Sequence, residues 1–591
     1  MIDTLSRRLT ALFAVGLAGA LALTACSGGD DPGGNGGSTL GLDGCDEQPD
    51  TCNSGDRAQG GEIVWMINQG HDSVYNLLRV EGNSTYLNQM MEGLLPNVGS
   101  FTPSGEWTWN LDVLEGPAEL VSEDPMTVVY RVRPEAVWSD GEPIDLDDAV
   151  YTWYHQSGKE EHCSDCNPAS TSLFDAIASI EGSDNGKTIT VTYEDGYANP
   201  EWYSLQPFSF PAHVATAEGF DWQNDPEAMG ASSEYFAETV PDWSGGPYQV
   251  ETWLPDERQE LVPNPNWYGE PKPTLERLIK VVIPDQSSWP PAMENGEIHG
   301  GAPASFTPDG LERMSQIPGV QTAVGSAGAV WEHVDVNLEA ISDVALRKAI
   351  FTAIDIADAR QRIFGDLEPP FRTNHIFSQN SPYHEDHLTP TGYGTGDVEA
   401  ARQILADAGY TGYDTGNLVD PEGNEVPDLR FAFLQGNENR ATFTELTISY
   451  LSEIGITVVP TPIPADQLGT VLSNADYDLV IFGWAGSPLF AGAPHQFWHS
   501  TSASNFGHLN DPEVDRLAEE IQNQVNVEDS AALVNQLVPL ILEHAYVLPL
   551  WDTLNFMFVS DDYVNIRDNH NDSLRSLYNS EEWGLLASAA Q

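Results

Sequence analysis

The body of the chain alternates short apolar stretches with segments that have apolar residues at helical spacing. Residues 62–68 form an apolar run that predicts a strand, and 86–95 have helical spacing with Gly93 near their end. Between about 97 and 212, short alternating stretches such as 127–132 predict strands separated by turns. Strands that alternate with helices in this way are typical of an α/β fold.

Two segments resemble sequence motifs for phosphate binding or metal binding. Residues 182–188, GSDNGKT, resemble a phosphate-binding loop that is one residue short. The stretch that follows, 188–193, alternates and is β-branched, so we predict a hairpin turn and a strand. The HEDH segment at 384–387 is predicted to be a solvated loop, with weak metal binding as the alternative.

No motif selects a catalytic residue. There is no GxSxG nucleophile motif, and 90 acidic residues produce many chance carboxylate pairs, so no acid/base pair stands out. We therefore predict a protein that is not an enzyme, with no catalytic residue, no cofactor and no metal ligand.

The net charge excludes several partners. With 24 Lys and Arg against 90 Asp and Glu, the formal charge is −66. Nucleic-acid binding relies on basic residues that neutralise phosphates, and anionic membrane surfaces would repel this chain. Because 40% of the residues are hydrophobic and 16 are Trp, the chain is predicted to fold rather than to be disordered. A length of 591 residues predicts about three domains or two large lobes.

The N-terminal residues predict export. Arg7 and Arg8 precede an apolar run at 9–23, and Cys26 follows, so 1–25 resemble a lipoprotein signal peptide with lipidation at Cys26. A plain cleavable signal with an incidental Cys is the alternative. Since no second apolar run of 18 residues occurs, lipid would be the only membrane attachment, on the extracytoplasmic face of a bacterial cell membrane. The Gly- and Asp-rich residues 26–60 are predicted to be a flexible tether.

The remaining cysteines fit that compartment. Their even number and their two close pairs favour two short-loop disulfides outside the cytoplasm. A redox CxxC or half a zinc site at 163–166 is the alternative for the second pair. The four residues are Cys45, Cys52, Cys163 and Cys166.

A series of segments occurs in the order of a known family. They are 138–141 (WSDG) with 147–150 (DDAV), 244–250, 264–269, 295–298, 344–355, 400–410, 454–458 and 477–484. Together they resemble the peptide/nickel class of ABC-transporter solute-binding proteins, family 5, over nearly the whole mature chain. Where the family has Asp after its GEI turn, this chain has His299. Each segment also has a structural interpretation, since Trp138, Tyr248 and most of 347–355 are predicted to be packing residues.

The resemblance implies an α/β, two-lobed periplasmic-binding-protein-like fold of class II with an extra subdomain. The ligand cleft would lie between two lobes joined by two crossing strands, and hinge closure would enclose the ligand. Lobe one would comprise 61–300 and 554–591, with 97–212 as an inserted subdomain, and lobe two would comprise 301–553. Such a monomer would deliver its solute to a membrane permease with its ATPase.

The resemblance also implies candidate ligand-binding residues. They lie at the exit of the first strand, after the YDL strand and near the second crossing: Asn68, Gln69, His71, Gly483, Trp484, Ser487 and Trp551. In peptide-binding members an Asp holds the α-amine of the peptide, and Ser487 occupies the matching place here. A hydroxyl cannot neutralise a buried ammonium, so recognition of a free peptide N-terminus is not expected.

The function implied is that of a solute-binding lipoprotein of an ABC importer, which binds a peptide or a peptide-like solute. The alternative is a lipoprotein of the same fold that acts as an assembly or regulatory partner in the cell envelope and binds glycan or glycolipid without transport. A secreted hydrolase is the third class.

Overall fold

The computed structural model describes residues 41–588 except 46, 71–73, 304–305, 326–329, 465–466 and 486–487. The signal segment, Cys26, His71 and Ser487 lie outside the described residues. Within the described part, no helix is long and apolar enough to cross a membrane.

Twenty strands occur in the described residues. In chain order, β1 to β20 are Glu62–Ile67, Gly99–Phe101, Trp107–Trp109, Glu119–Glu123, Met126–Arg131, Ile177–Ser183, Thr188–Tyr193, Tyr248–Leu254, Arg258–Pro263, Arg277–Val282, Gly300–Gly301, Val320–Gly325, Val330–Val336, Leu429–Leu434, Val458–Ile463, Leu479–Ala485, Val547–Asp552, Asn555–Ser560, Tyr563–Val564 and Gly584–Leu585.

Fourteen α-helices occur in the same residues. In chain order, α1 to α14 are Thr85–Met91, Leu146–Gln156, Ala212–Ala217, Pro226–Glu238, Trp289–Glu294, Pro308–Ser315, Val344–Ala353, Ile356–Phe364, Val398–Asp407, Glu438–Ser452, Leu468–Ser473, Ala493–Trp498, Pro512–Gln522 and Val527–Glu543.

Two large sheets define two lobes. We call the part built on the seven-stranded sheet, in the order β12-β18-β11-β1-β10-β9-β8, the first lobe. The second lobe is built on the five-stranded sheet β15-β14-β16-β13-β17. A separate four-stranded antiparallel sheet, β4-β5-β7-β6, lies within the region predicted as an inserted subdomain. This mixed, two-lobed α/β architecture is the predicted fold class.

The chain changes sheet later than the predicted division at 301. Strand β12 pairs antiparallel with β18, from Val320 opposite Ser560 to Gly325 opposite Asn555, so it belongs to the first lobe. The next strand, β13, pairs with β16 and β17 in the second lobe. The chain returns to the first lobe through residues 553–554, between β17 and β18.

The WSDG and DDAV segments form one structural unit. Asp145 caps α2, and Asp148 completes a capping box with it. The Asp148 carboxylate also accepts from Trp138 Nε1 at 3.0 Å and from Ala212 N at 2.9 Å. Burial raises the pKa of Asp148 to about 7. Because Trp138 is fully buried, these residues hold the fold together, as their structural interpretation predicted.

Residues 182–188 join β6 to β7 in a hairpin, as predicted, with Asp184 and Asn185 both at positive φ. Residues with short polar side chains tolerate this left-handed conformation best. The segment therefore turns the chain and leads into a strand, not into a helix.

The described part of the predicted tether is packed. We call residues 41–60 the N-terminal strap. Its Asn53 Nδ2 donates to Ile566 O at 2.9 Å, and Arg567 Nε donates to Cys52 O at 2.9 Å. Leu42 and Cys52 are buried, and a disulfide joins Cys45 to Cys52. The strap is thus attached to the C-terminal region, because its few apolar groups and its backbone find partners there. A second disulfide joins Cys163 to Cys166.

Candidate functional site

A cavity lies between the two lobes, next to the crossing from β17 to β18. The space between the atoms there is about 400 Å³, a volume that includes open solvent at its mouth. Its walls come from β13, β16 and β17, from helices α8 and α10, and from segments of the first lobe and the crossing. The lining residues are Phe306, Glu332, Phe364, Asn437, Asn439, Arg440, Ile481, Trp551, Thr553 and Leu554. Pockets at domain interfaces are common sites for small molecules.

A buried ion pair forms one wall of the cavity. Arg440 donates to both oxygens of Glu332, from Nε at 2.9 Å and from Nη2 at 2.8 Å. The two side chains are only 13% and 9% exposed. Burial lowers the pKa of Arg440, but the charge and hydrogen bonds of Glu332 outweigh burial and raise it. Such a bidentate pair holds both groups in a fixed geometry.

Local structure places Arg440 in the first turn of α10. The helix starts at its N-cap Asn437, whose side-chain Oδ1 accepts from Arg440 N at 3.1 Å. Asn439 points across the interface and donates from Nδ2 to Phe306 O at 3.0 Å. Phe306 packs on Phe556 of the first lobe, with ring centroids 4.7 Å apart. The start of α10 therefore contacts both the cavity and the first lobe.

Gly483 leaves room for the ion pair. It is paired with Glu332 across the β13–β16 ladder. A Cβ atom at this position would lie 2.5 Å from Val330 Cγ1, 3.1 Å from Glu332 Oε1 and 3.3 Å from Arg440 Nη2. The predicted ligand residue thus lies beside the cavity, and its missing side chain accommodates the carboxylate of Glu332.

The first lobe presents Asn68 and Tyr86 to this pair. Asn68 follows β1 directly, and its Nδ2 donates to Tyr86 Oη at 3.4 Å. Burial raises the pKa of Tyr86, while the hydrogen bond from Asn68 and the charge of Arg440 act in the opposite direction. Since the charges of both Arg440 and Glu332 act on this phenol, Tyr86 lies near the ion pair. Gln69, also predicted, is half-buried next to Asn68.

The two predicted tryptophans have different environments. Trp484 stacks on Phe497, with centroids 4.2 Å apart, and is nearly parallel to Phe506 at 5.6 Å. It packs within the second lobe and is not among the residues that line the cavity. Trp551 does line it, and its ring contacts Phe364 and Phe443 edge-on. Its Nε1 is buried and has no hydrogen-bond partner among the described residues.

The sequence reasoning missed Tyr86, Glu332, Asn437 and Arg440. One signal was available for Glu332, because β13 reads VWEHVDV and places charged residues within an otherwise apolar strand. Buried charges are rare unless they are paired, so such a strand predicts a partner elsewhere. The partner, Arg440, is 108 positions away and could not be named from local pattern.

A second contact joins the lobes at another place. Glu201, in the loop after β7, accepts at Oε1 from Phe490 N at 2.6 Å and from Ala491 N at 3.0 Å. We call these three residues the Glu201 latch. Close by, Ala198 N donates to Asn523 Oδ1 at 2.7 Å. Burial raises the pKa of Glu201 to about 7, although both backbone N–H groups lower it. The latch binds the segment that follows β16.

Comparison with known proteins identifies the family. Residues 112–506 match the family described as bacterial extracellular solute-binding proteins, family 5. The chain belongs to this family. The oligopeptide-binding protein OppA of Mycobacterium tuberculosis is 26% identical to this family 5 protein. The match covers 83% of this chain and 80% of OppA.

Solved structures share the fold of this family 5 protein. A periplasmic EDTA-binding protein, EppA, is 31% identical and superposes with a TM-score of 0.83, covering 91% of this chain and 98% of that one. The oligopeptide-binding protein AppA of Bacillus subtilis, solved with a nonapeptide, is 18% identical with a TM-score of 0.76, covering 90% and 100%. These relatives are binding proteins by name, and none is named as an enzyme.

One further relative has a different description. The probable monoacyl phosphatidylinositol tetramannoside-binding protein LpqW of Mycobacterium tuberculosis is 28% identical over 264 residues. That match covers 43% of this chain and 37% of the relative.

Proposed function

We propose that this family 5 protein is the extracytoplasmic solute-binding lipoprotein of an ABC importer. It binds a solute in the cavity between its lobes and presents the closed form to a membrane permease with its ATPase. The observation that supports this most directly is the cavity itself, which lies between two lobes built on different sheets. Enclosure between hinged lobes lets binding change the shape that a permease contacts.

The solute we propose is a peptide or a peptide-like compound without a free N-terminal amine. The relatives named above are described as binding oligopeptides and, in one case, EDTA, so the family accommodates diverse solutes. Ser487 stands where peptide-binding members are expected to have an Asp, and the remaining carboxylate at the cavity, Glu332, is bonded at both oxygens to Arg440. A buried ammonium would find no free carboxylate among the described residues that line the cavity.

Mass spectrometry of solutes that co-purify with the gently isolated protein tests the proposal. We expect one solute of low molecular mass, released on denaturation and absent from a control preparation of an unrelated exported protein. Calorimetry should then give a one-to-one complex with that solute. Tight binding of peptides with free N-termini would contradict the proposed solute class.

Anchoring is tested separately. We propose that Cys26 carries the lipid that holds the protein to the membrane. Metabolic labelling with palmitate should mark the wild-type protein and not Cys26→Ala, which should be released from the membrane fraction. Label that persists in the variant would disprove lipidation at this residue.

A second candidate function follows from the similarity to LpqW. A lipoprotein of this fold could serve as an envelope partner that binds glycan or glycolipid without transport. Loss of uptake of the co-purified solute on deletion of the gene would support the importer. Unchanged uptake together with altered envelope glycolipids would favour the second candidate.

A further inference from the structure

We propose that the disulfide between Cys163 and Cys166 is a site of exchange with dithiols, and that its reduction loosens the segment 78–81 of the first lobe. We call residues 163–169 the CxxC loop. None of them lines the interlobe cavity, so this second site goes beyond the proposed solute-binding function. Three properties of the loop support it: the small number of residues that the disulfide closes, the unequal burial of the two cysteines, and the contacts with 78–81.

The two disulfides of the described residues close loops of different length. The cysteines are three positions apart in Cys163–Cys166 and seven apart in Cys45–Cys52. A disulfide stabilises a fold by restricting the unfolded chain, and this effect grows with the length of the closed loop. Because the fold stabilises each disulfide by the same amount in return, the shorter bridge is protected less against reduction. Its spacing is also that of thiol–disulfide oxidoreductases.

The two sulfurs of the CxxC loop differ in accessibility. Cys163 is half-buried, and its neighbours Ser164 and Asp165 are exposed. Cys166 is only 3% exposed. A thiolate from outside can therefore reach Cys163 more easily than Cys166, and Cys166 becomes the leaving sulfur.

A cation lies next to the leaving sulfur in the chain. Arg79 Nη1 donates to Asp165 O at 3.0 Å, on the residue that precedes Cys166. Arg79 is 9% exposed and is held in place by a salt bridge to Glu81 at 2.9 Å. Positive charge near a cysteine favours its thiolate, and a sulfur that is more stable as a thiolate leaves faster. Arg79 thus favours cleavage of the bond at Cys166.

The exchange is a balanced two-electron step. One thiolate of the dithiol attacks Cys163 Sγ, the bond between the two Sγ atoms breaks, and Cys166 leaves as a thiolate. The second thiolate of the dithiol then attacks its own sulfur in the mixed disulfide, and Cys163 leaves. The dithiol is oxidised to a disulfide, and its two protons end on Cys163 and Cys166.

The CxxC loop holds the segment 78–81 through four hydrogen bonds. Two join backbone groups, from Val80 N to Asn167 O at 3.0 Å and from Ala169 N to Leu78 O at 2.8 Å. Asn167 Nδ2 also donates to Glu81 Oε2 at 3.1 Å, and Arg79 makes the fourth bond, to Asp165 O. The position of 78–81 therefore depends on the shape of the loop.

That shape depends in turn on the residue after Cys166. Asn167 has a φ of 48°, in the left-handed region that few residues other than glycine adopt. The disulfide restricts the backbone immediately before Asn167, whereas the open dithiol leaves this residue free to return to a more common conformation. Its two hydrogen bonds to Val80 and Glu81 would then be weakened.

The segment 78–81 leads towards the interlobe cavity. Along the chain it lies between Asn68 and Tyr86, whose side chains are hydrogen-bonded at 3.4 Å. Loosening of this segment gives the first-lobe side of the cavity more freedom. The redox state of one surface loop would thus reach the region where the lobes meet.

Graded reduction tests the exchange. The folded protein would be equilibrated with mixtures of reduced and oxidised dithiothreitol, its free thiols alkylated, and each cysteine pair assayed by mass spectrometry of its peptides. We expect Cys163–Cys166 to be half reduced at a ratio of reduced to oxidised dithiothreitol at least about threefold lower than Cys45–Cys52, as the two loop lengths predict. The second disulfide is a control within the same molecule.

Single variants identify the accessible sulfur. Cys166→Ser and Cys163→Ser each keep one thiol of the pair, and oxidised glutathione would measure how fast that thiol forms a mixed disulfide. We expect Cys163 to react several-fold faster than Cys166, because Cys166 is buried. Equal rates would contradict the assignment of Cys163 as the attacked sulfur.

Hydrogen exchange tests the coupling to 78–81. The amides of Val80 and Ala169 donate across the contact, and both should exchange about fivefold faster after reduction, as expected when the stabilisation of one hydrogen bond is lost. Cys163→Ser/Cys166→Ser should show the same acceleration without reductant. Cys45→Ser/Cys52→Ser is the matched control and should exchange at these amides like the wild type.

Two results would overturn the proposal. If both disulfides are reduced at the same ratio, or if Cys163–Cys166 opens only when the protein unfolds in urea, the bridge is purely structural. If the two amides exchange equally in oxidised and reduced wild type, the CxxC loop does not control 78–81. The wild-type comparison holds even where a variant fails to fold, and neither result bears on solute binding.

Discussion

The two lobes contact each other in two chemically different ways. At the Glu201 latch, one carboxylate oxygen accepts from two backbone N–H groups, so donors and acceptor are matched within the protein. At the cavity, Arg440 and Trp551 retain donors without partners among the described residues. The groups of the latch are thus paired with one another, whereas the cavity keeps donors that no described residue accepts. This difference suggests that the two contacts have different roles. The latch would favour closure of the lobes, and the cavity would determine which solute is enclosed between them.

The largest effect should come from breaking the ion pair at the cavity. Glu332→Ala leaves the Arg440 guanidinium buried without its partner, and loss of one member of such a pair costs about 3–5 kcal/mol. Urea unfolding of the wild type and the variant measures the loss. The double variant Glu332→Gln/Arg440→Gln should lose much less, because it leaves no unpaired charge. Equal losses in the two variants would show that the unpaired charge of Arg440 carries no penalty of its own.

A smaller effect is expected from filling the space beside the pair. In Gly483→Ala the new methyl would lie 2.5 Å from Val330 Cγ1, which forces β13 or its side chains to move. Overpacking of this kind costs about 1–3 kcal/mol. Gly469→Ala in α11 is the matched control, since its new methyl would meet no atom within 4 Å. If both variants unfold at the same urea concentration as the wild type, the close approach at Gly483 is not important.

Breaking the latch should shift the balance between open and closed forms. Glu201→Ala removes the acceptor of two backbone N–H groups, so the open form should gain by about tenfold, as expected for the loss of one or two hydrogen bonds. Small-angle scattering of the solute-free protein reports this shift as a larger radius of gyration. Glu201→Gln keeps an acceptor oxygen and should remain closed. A radius unchanged in Glu201→Ala would show that the latch does not hold the lobes.

The latch also predicts a pH dependence. In the closed form, burial raises the pKa of Glu201 from 4.5 to about 7, and exposure on opening returns it toward the lower value. Closure therefore takes up a proton, so the closed form is favoured near pH 5 and is weakened as the pH rises to about 7, with no further change above that. The scattering difference between pH 5 and pH 8 should be smaller in Glu201→Gln. A difference of the same size in both proteins would assign it to other groups.

The smallest effect on stability should come from Trp551→Phe. The substitution keeps an aromatic ring against Phe364 and Phe443 but removes an N–H that makes no hydrogen bond within the described residues. No hydrogen bond is lost, so we expect only the cost of the small space that the missing ring leaves, about 1 kcal/mol. Chemical denaturation measures it. A loss above 2 kcal/mol would mean that the indole nitrogen has a partner in solution.

Local patterns were enough to predict much of the fold. Strand β1 occupies 62–67 where 62–68 was predicted, and the turn at 182–188 depends on its own residues and on the alternation that follows. Helix α1 ends earlier than predicted, at Met91. Lys280 Nζ donates to the carbonyl oxygens of Gln89, Met90 and Glu92 at 2.8 to 3.0 Å and so satisfies the end of the helix. A residue on β10 thus sets a boundary that the local sequence cannot specify.

The site was less accessible to prediction. Asn68 and Trp551 could be proposed from their positions next to the strands that lead to the cleft. Glu332 and Arg440 could not be recognised as an ion pair from the sequence. Their contact depends on how two distant segments pack and on the missing side chain of Gly483. The N-terminal strap was predicted to be flexible for a related reason. The partners of Cys52 and Asn53 lie more than 500 positions away, and the composition of the segment does not reveal them.

With Cys26 lipidated as proposed, the N-terminal strap limits how far the body of the protein can move from the membrane. A flexible tether that extended to residue 60 would allow a wide range of distances between the folded body and the membrane. Because the strap is fixed from Leu42 onward, only the fifteen residues between Cys26 and Leu42 separate it from the lipid, and the sixteen fully extended steps from Cys26 to Leu42 reach about 55 Å. Because the strap packs against the first lobe, this short segment holds the first lobe close to the bilayer. Hinge opening would then move the second lobe relative to the first. A permease would contact the protein only within a limited distance from the membrane.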